Sequence, residues 1–419
     1  MKKYILIISF LFMSLLLTSC SNSKLSKVTS LEKNNQNITI KEPNVSENIK
    51  DYNEFNNTNE NNKVIQSSNP KVNKVNLIAV GDNLIHSMII KSGLKEDGTY
   101  DFNYMYENVV EEINKADIKA INQETMFIKD STNYSGYPTF GTPYEVGEAT
   151  INAGFNVFTL ATNHSYDKKE EGINDTLKFY AYHKAKNNDI TCLGLNGTKE
   201  QQDTITLKEY NNISFAMINY TYGLNGFSKP SDKQYLVNTF MNEEETTQML
   251  EMITKAKELA DFVIVFIHMG TEYTMTETSY QTEISTKLAE SGADLIIGTH
   301  PHVVEPLKVI ITSDNREVPV YYSLGNFISN QDRVNTMLGA MAKVTFVKDD
   351  KICYIESFDM VPTVTHISDK QKNFEVYMLN DYTNDLASKH KLATKGLSLD
   401  ELNNLWEDVY SKSTTKYSE

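Results

Sequence analysis

From residue 76 onward the chain alternates short apolar runs with amphipathic stretches. Runs rich in Ile, Val, Leu and Phe occupy 76–81, 118–123, 156–161, 190–195, 213–220, 262–268, 295–298 and 318–324. Their length and β-branched content predict buried strands. Between them, residues 103–115, 144–153, 171–185, 242–259 and 279–291 repeat apolar positions at helical spacing. Strands alternating with helices predict an α/β fold with much of its sheet buried on both faces. Past residue 330 the pattern changes to two strand-like runs, 341–348 and 351–358, around Asp349-Asp350, which read as a hairpin. The tail from about 370 is polar and reads as helical, with 397–410 its best amphipathic stretch. Residues 75–367 are thus the expected domain and 368–419 a polar helical C-terminal extension.

The first 74 residues stand outside this pattern. Lys2 and Lys3 precede an apolar run from 4 to 17 that ends in Leu17-Thr18-Ser19-Cys20. This is the form of a secretory leader with a lipoprotein-type cleavage site, which makes Cys20 the expected diacylated N-terminus. An ordinary signal peptide or an uncleaved anchor would share the apolar run, but the run is short for a span and the cysteine sits at its boundary. Residues 21–74 are rich in Asn, Ser, Lys and Glu, and such a segment buries too little apolar surface to offset its ordering entropy. The expectation is a domain held on a disordered Asn-rich tether at the extracellular face of the cell membrane, lipid-anchored through Cys20.

The formal net charge of −15 argues against nucleic-acid binding and against adhesion to anionic lipid. It also repels a polyanionic substrate unless metal ions or a local basic patch reverse the field. Besides Cys20 the only cysteines are Cys192 and Cys353, both inside apolar runs. Export permits a disulfide between them. Nothing in their spacing asks for one, and two buried unpaired thiols are expected.

Candidate chemistry gathers where apolar runs end, and five of the eight histidines lie there. A strand that runs out into a loop delivers its last side chains to the rim of a sheet, where α/β proteins build their sites. The first run delivers Asp82, with His86 one helical turn on if the chain coils there. The second ends in Asn122-Gln123-Glu124, whose first and third residues share a face. The third is followed by Asn163-His164 and, three residues later, Asp167. The Asn163 amide can bind a metal, and the His164 imidazole can act as an acid or a ligand. Asp167 is placed either to orient that imidazole or to cap the helix beginning near Lys168. His268 ends another run. His300 and His302, at i and i+2 in Gly-Thr-His-Pro-His-Val, have a metal-ligand spacing. Asn326 lines the site or serves a turn. No Gly-rich phosphate loop, Gly-x-Ser-x-Gly elbow or Cys-x-x-Cys is present, so nucleotide-fold and serine-nucleophile chemistry have no support. Acidic, imidazole and amide groups on one rim are the materials of a metal centre.

In order, these segments read V-G-D, N-x-E, N-H-x-x-D, H-x-G-x-E-Y, G-x-H-P-H-V and Y-S-L-G-N-F. Over about residues 75–330 the chain resembles the poly-γ-glutamate capsule biosynthesis family, CapA. That family is in turn similar to calcineurin-like metallophosphoesterases. The resemblance implies a metallophosphatase-like sandwich of two stacked β-sheets flanked by helices, holding one or two divalent ions such as Mn, Zn or Fe. Carried over by position, Asp82 and His86 stand for the first Asp and His, and Glu124 for the bridging carboxylate. Asn163 is the metal-binding amide and His164 the acid, assisted by Asp167. His268 and His300 complete one metal and His302 the other, while Asn122, Glu272 and Asn326 face the substrate. The chain departs from the phosphatase pattern in three places. Three residues separate Asp82 from His86 rather than one, Thr162 stands where the phosphatases have Gly, and Glu124 lacks the G-D-x-x-D frame.

Two functions are compatible with these residues. One is a metal-dependent hydrolase cutting an amide or phosphoester in an envelope polymer such as poly-γ-glutamate or cell-wall peptide. The other is a non-catalytic polymer-binding or scaffold component beside membrane capsule-synthesis proteins.

Overall fold

Each apolar run expected to be a strand contains one in the computed structural model, which describes residues 72–186, 189–350, 352–368 and 370–417. The strands are β1 (Asn73–Asn83), β2 (Ile118–Gln123), β3 (Val157–Thr159), β4 (Thr191–Leu193), β5 (Thr206–Tyr210), β6 (Ile213–Thr221), β7 (Phe262–His268), β8 (Leu295–Thr299), β9 (Val304–Ile311), β10 (Glu317–Leu324), β11 (Asn326–Ile328), β12 (Leu338–Lys348), β13 (Cys353–Ile367) and β14 (Phe374–Met378). The leader, Cys20 and nearly all of the expected tether lie outside the described residues. Residues 73 and 74, assigned to the tether from sequence, instead open β1.

Two sheets form. One runs β14-β13-β12-β1-β2-β3-β4, with the short β11 beside the end of β1; the other runs β5-β6-β7-β8-β10-β9. The middle of each sheet is parallel, β1 to β4 in the first and β6-β7-β8-β10 in the second. Antiparallel strands complete both edges of the second sheet and one edge of the first, whose other edge is the parallel β4.

Alternation along β7 shows how the layers stack. Phe262, Ile264 and Phe266 enter a core shared with the first sheet, where Phe215 and Phe262 meet Phe346 of β12 at ring distances of 5.0 and 4.8 Å. Val263, Val265 and Ile267 point the other way, into a second core under the helices Glu243–Lys257 and Ser279–Glu290. The first sheet is covered on its far side by the helix Lys169–Lys186, whose Tyr180 packs on Phe158 of β3 at 4.7 Å. The expected two-sheet sandwich flanked by helices is the observed architecture. The period of two also settles the site: His268 continues the Phe262, Ile264, Phe266 series, so it faces inward, toward the first sheet.

Several local expectations are corrected. Residues 103–115 do not form one helix but two three-residue turns and a short helix, Val110–Ile113. The tighter turns bring Tyr106 inward, where its hydroxyl donates to Asn83 Oδ1 at 2.8 Å and its ring stacks on Phe327. β5, β9 and β14 were not expected. β5 and β14 are edge strands with polar residues on one face, and β9 carries Pro306 and Lys308, so none presents a continuous apolar run. With β14, the segment expected to be a helical extension adds a strand to the first sheet, and its helix Leu399–Tyr410 buries Leu402, Trp406 and Val409 in the main core. Cys192 and Cys353 are free as expected, but Cys353 is exposed at the β12–β13 hairpin rather than buried.

Candidate metal centre

The carboxyl ends of parallel strands from both sheets converge on one cluster. Asp82 ends β1, which can come close to β11 only because residue 81 is glycine: a Cβ there would lie 1.9 Å from the Gly325 carbonyl oxygen. That approach lets the Asp82 N–H donate to Gly325 O at 2.9 Å. Asn122, at the end of β2, donates to Asp82 Oδ1 at 2.8 Å and accepts from Thr159 on β3, so it positions the carboxylate. Glu124 follows directly. From the second sheet, His302 places Nδ1 3.1 Å from Asp82 Oδ2 and Nε2 3.9 Å from Glu124 Oε1. His268 Nε2 lies 4.0 Å from the same glutamate oxygen and 3.0 Å from Asn163 Oδ1.

The imidazoles are held by partners behind them. His268 Nδ1 meets Thr299 Oγ1 at 2.9 Å, and His302 Nδ1 meets Asn326 Oδ1 at 3.1 Å. Asn326 is locked by donating to the carbonyls of His302 and Thr336 and to Gln331. His300 packs its ring 4.9 Å from His268 and 4.7 Å from Tyr222. His300 and His302 have φ of 103° and 60°, a left-handed region that L residues adopt at a cost on the order of 1–3 kcal/mol. The backbone is thus held against its preference to turn both imidazoles into one place.

Asp82, Glu124 and His302 offer ligand atoms that all lie within 4.8 Å of one another, and all three residues are buried. Both Glu124 oxygens are buried without a hydrogen-bond partner, as is His300 Nδ1. Burial, then the Asp82 carboxylate, pushes the Glu124 carboxyl well above its ordinary range. For His302 burial acts downward, but the Glu124 and Asp82 carboxylates outweigh it and lift the imidazole to about 9. His268 is held well below its usual range and His300 at about 3, in each case by burial first and then by neighbouring imidazoles. Orphaned buried acceptors are costly in a native structure, and a cation among them satisfies all of them together. The donor set fits a divalent ion, and this buried Asp–Glu–His group is able to hold one.

Beside the cluster, His164 Nδ1 lies 2.8 Å from Asp167 Oδ2, which also accepts the Phe140 N–H at 2.8 Å. Of the two roles open to Asp167, the structure selects orientation of the imidazole over helix capping. The Asn225 amide nitrogen lies 3.2 Å from Nδ1 and 3.5 Å from Nε2 of His164, and Asn225 Oδ1 accepts from Asn163.

Most of the expected site residues come together, and His86 is the exception. β1 stays extended through Asn83, so no helical turn aligns His86 with Asp82. Its Nδ1 receives the Asn330 N–H at 3.2 Å, its ring edges Phe140, and burial lowers it to about 4. Glu272 stands exposed at the mouth, where its charge reaches Glu124 and His302. Residues not anticipated are Tyr222 and Asn225 after β6, Thr299, and Tyr273, whose ring lies 6.1 Å from His302. The run 213–220 is followed by Thr221-Tyr222 and then Asn225-Gly226, so the strand-end argument applied to the other runs also points to this loop.

Buried carboxylates and imidazoles at strand ends in a two-sheet sandwich define an α/β protein with a site able to hold a metal ion. Comparison with known proteins places it further: the chain belongs to the bacterial capsule synthesis protein family PGA_cap, whose family model matches residues 76–331. It is similar to the capsule biosynthesis protein CapA of Bacillus anthracis, 26% identical over 278 residues that make up 64% of this chain and 63% of the relative. It is also similar to the PGA biosynthesis protein CapA of Bacillus subtilis (strain 168), 30% identical over 196 residues, 46% and 48% of the two chains. The matched segments thus span less than two thirds of either relative. Among solved structures, the calcineurin-like phosphoesterase YfkN from Bacillus subtilis aligns at a TM-score of 0.38 and 11% identity, over 81% of this chain and 99% of that one. The resemblance to the capsule family read from the motifs is borne out.

Proposed function

We propose that this chain is a metal-dependent hydrolase of capsule or envelope polymer metabolism. Tethered by lipid at Cys20 to the outer face of the membrane, it cleaves an amide or phosphoester in an anionic polymer such as poly-γ-glutamate or cell-wall peptide, alongside membrane capsule-synthesis proteins. The observation that carries this reading is Glu124: a wholly buried carboxylate with neither oxygen partnered, beside Asp82 and His302. Asp82, Glu124, Asn163, His268, His300 and His302 would hold the ion, and their mixed oxygen and nitrogen donors suit Mn, Zn or Fe. Such an ion acts as a Lewis acid and lowers the pKa of water at the site.

The protein's own groups divide the remaining work. Asp167 accepts from Nδ1 of His164 and so fixes the tautomer in which Nε2 exchanges a proton with the leaving group. Asn122 and Asn326 hold Asp82 and His302 at fixed angles, which limits reorganisation during reaction. Metal analysis by mass spectrometry on the wild-type protein and on His300→Ala/His302→Ala tests the proposal. One or two transition-metal ions per chain, lost in the double variant, are expected. A folded wild type that carries none and takes up no added Mn²⁺, Zn²⁺ or Fe²⁺ would refute it and leave a polymer-binding cleft.

A further inference from the structure

The site is acidic, with Asp82, Glu124 and Asp167 buried in it and Glu272 at its mouth, in a chain of net charge −15. An anionic substrate therefore needs cations at the rim. Two are present, both beyond the segment matched by the family model. The Arg333 guanidinium lies 3.9 Å above the ring of Tyr273, which in turn neighbours the His302 ring. Lys391, in the C-terminal segment, donates to Asn330 O at 3.2 Å and Oδ1 at 2.6 Å, and Asn330 donates its N–H to His86. Among the described residues neither cation has a carboxylate within ion-pair distance; Asp332 acts on Lys391 only at longer range.

The loop 330–333 joins both cations to the centre. Asn330 holds Lys391, and Gln331 bridges Tyr273 to Asn326, the partner of His302. A guanidinium held over a tyrosine ring with no carboxylate partner keeps N–H donors for an oxyanion. A half-buried ammonium bonded only to neutral oxygens retains uncompensated charge.

We propose that Arg333 and Lys391 form a two-point rim that recognises oxyanion groups of the substrate, carboxylate or phosphate, and that the C-terminal segment thereby governs which substrates enter. This rests on the hydrolase reading for the identity of the site, not for the binding itself. Lys391 is then a specificity residue supplied from outside the matched family segment. It also makes the turn before Leu392, held to β13 by the Lys391 N–H on Ile367 O at 2.8 Å, part of the site's construction.

The test is calorimetric titration of the full chain in detergent with two probes, a penta-γ-glutamate oligomer and inorganic phosphate. The proteins are wild type, Arg333→Gln, Lys391→Gln and Lys391→Arg, with metal content and melting temperature recorded for each. Losing one charged contact should weaken binding about 5- to 20-fold for each Gln variant, Lys391→Arg should restore most of it, and affinity should fall with added salt. The probe that responds identifies the oxyanion. Gln variants that bind as wild type does, or a metal-loaded wild type that binds neither probe, overturn the rim. A metal-free protein whose oligomer binding still depends on Arg333 and Lys391 keeps the rim and removes the hydrolase reading.

Discussion

Glu124 and His302 make metal binding a proton exchange, and the structure sets its size. With no cation between them, Glu124 is pushed well above the carboxylate range by burial and Asp82, while the carboxylates hold His302 at about 9. The pair therefore shares at least one proton near neutrality that a bound ion must displace. For His302 alone, pH 7 lies two units below its value, so the displaced proton weakens binding by about 2.7 kcal/mol, roughly a hundredfold relative to the deprotonated imidazole. The sign is that affinity rises with pH, by about tenfold per unit from His302 and more steeply as Glu124 contributes, and levels off above about pH 9. Titration calorimetry with Mn²⁺ between pH 6.5 and 8.5, in two buffers of different ionisation enthalpy, reads the affinity and the proton count together. One to two protons should be released per ion, and Glu124→Gln should remove about one of them. A dissociation constant independent of pH over that range, with no proton released, would refute the reasoning about this cluster.

Three other consequences are open to measurement. Glu124→Met removes an orphaned buried carboxyl and should raise metal-free stability by about 1 kcal/mol in urea melts, while abolishing any rise in melting temperature on adding Mn²⁺. Gly81→Ala places a Cβ against the Gly325 carbonyl and should cost on the order of 3 kcal/mol or more, with Asp82 displaced and metal uptake lost together. His366 and His390, 5.5 Å apart in the C-terminal part of the core, are lowered by burial to about 4 and about 3. Their neutral forms stabilise the fold above pH 6.5, and that contribution is lost as pH falls toward 4. Urea melts at pH 7 and 4.5 should differ by about 2 kcal/mol for each histidine, on the order of 4–5 kcal/mol for the pair, and His366→Gln/His390→Gln should flatten the difference.

How much of this was legible in the sequence depended on where burial was continuous. β7 was readable to the residue because both faces are covered and its apolar run is unbroken up to His268, and β2 because Ile118, Ala120 and Ile121 mark a largely buried strand despite Lys119. β5 and β14 were not, because an edge strand needs apolar residues on one face only and its alternation is diluted by Lys208, Glu209 and Glu375. In the site, residues at the ends of apolar runs were found, since their neighbours announced the strand. His86 was placed on a helical turn that β1, extended to Asn83, does not make. Tyr273 and Arg333 lie on loops whose course depends on tertiary contacts, whereas Asn225 follows the end of the 213–220 run and was open to the same strand-end argument. The two roles of Asp167 could be separated only by seeing that its carboxylate meets His164 and the Phe140 N–H.

The candidate ligands are divided between the layers: Asp82, Glu124 and Asn163 come from the first sheet, His268, His300 and His302 from the second. An ion held by all of them would work as a rivet through both plates of the sandwich. Sliding the plates apart would then require breaking several coordination bonds at once, so the slowest unfolding step would be gated by ion release. The lifetime of the folded protein would then track the metal supply of its surroundings. The same side chains that prepare the site for chemistry would decide how long the protein lasts.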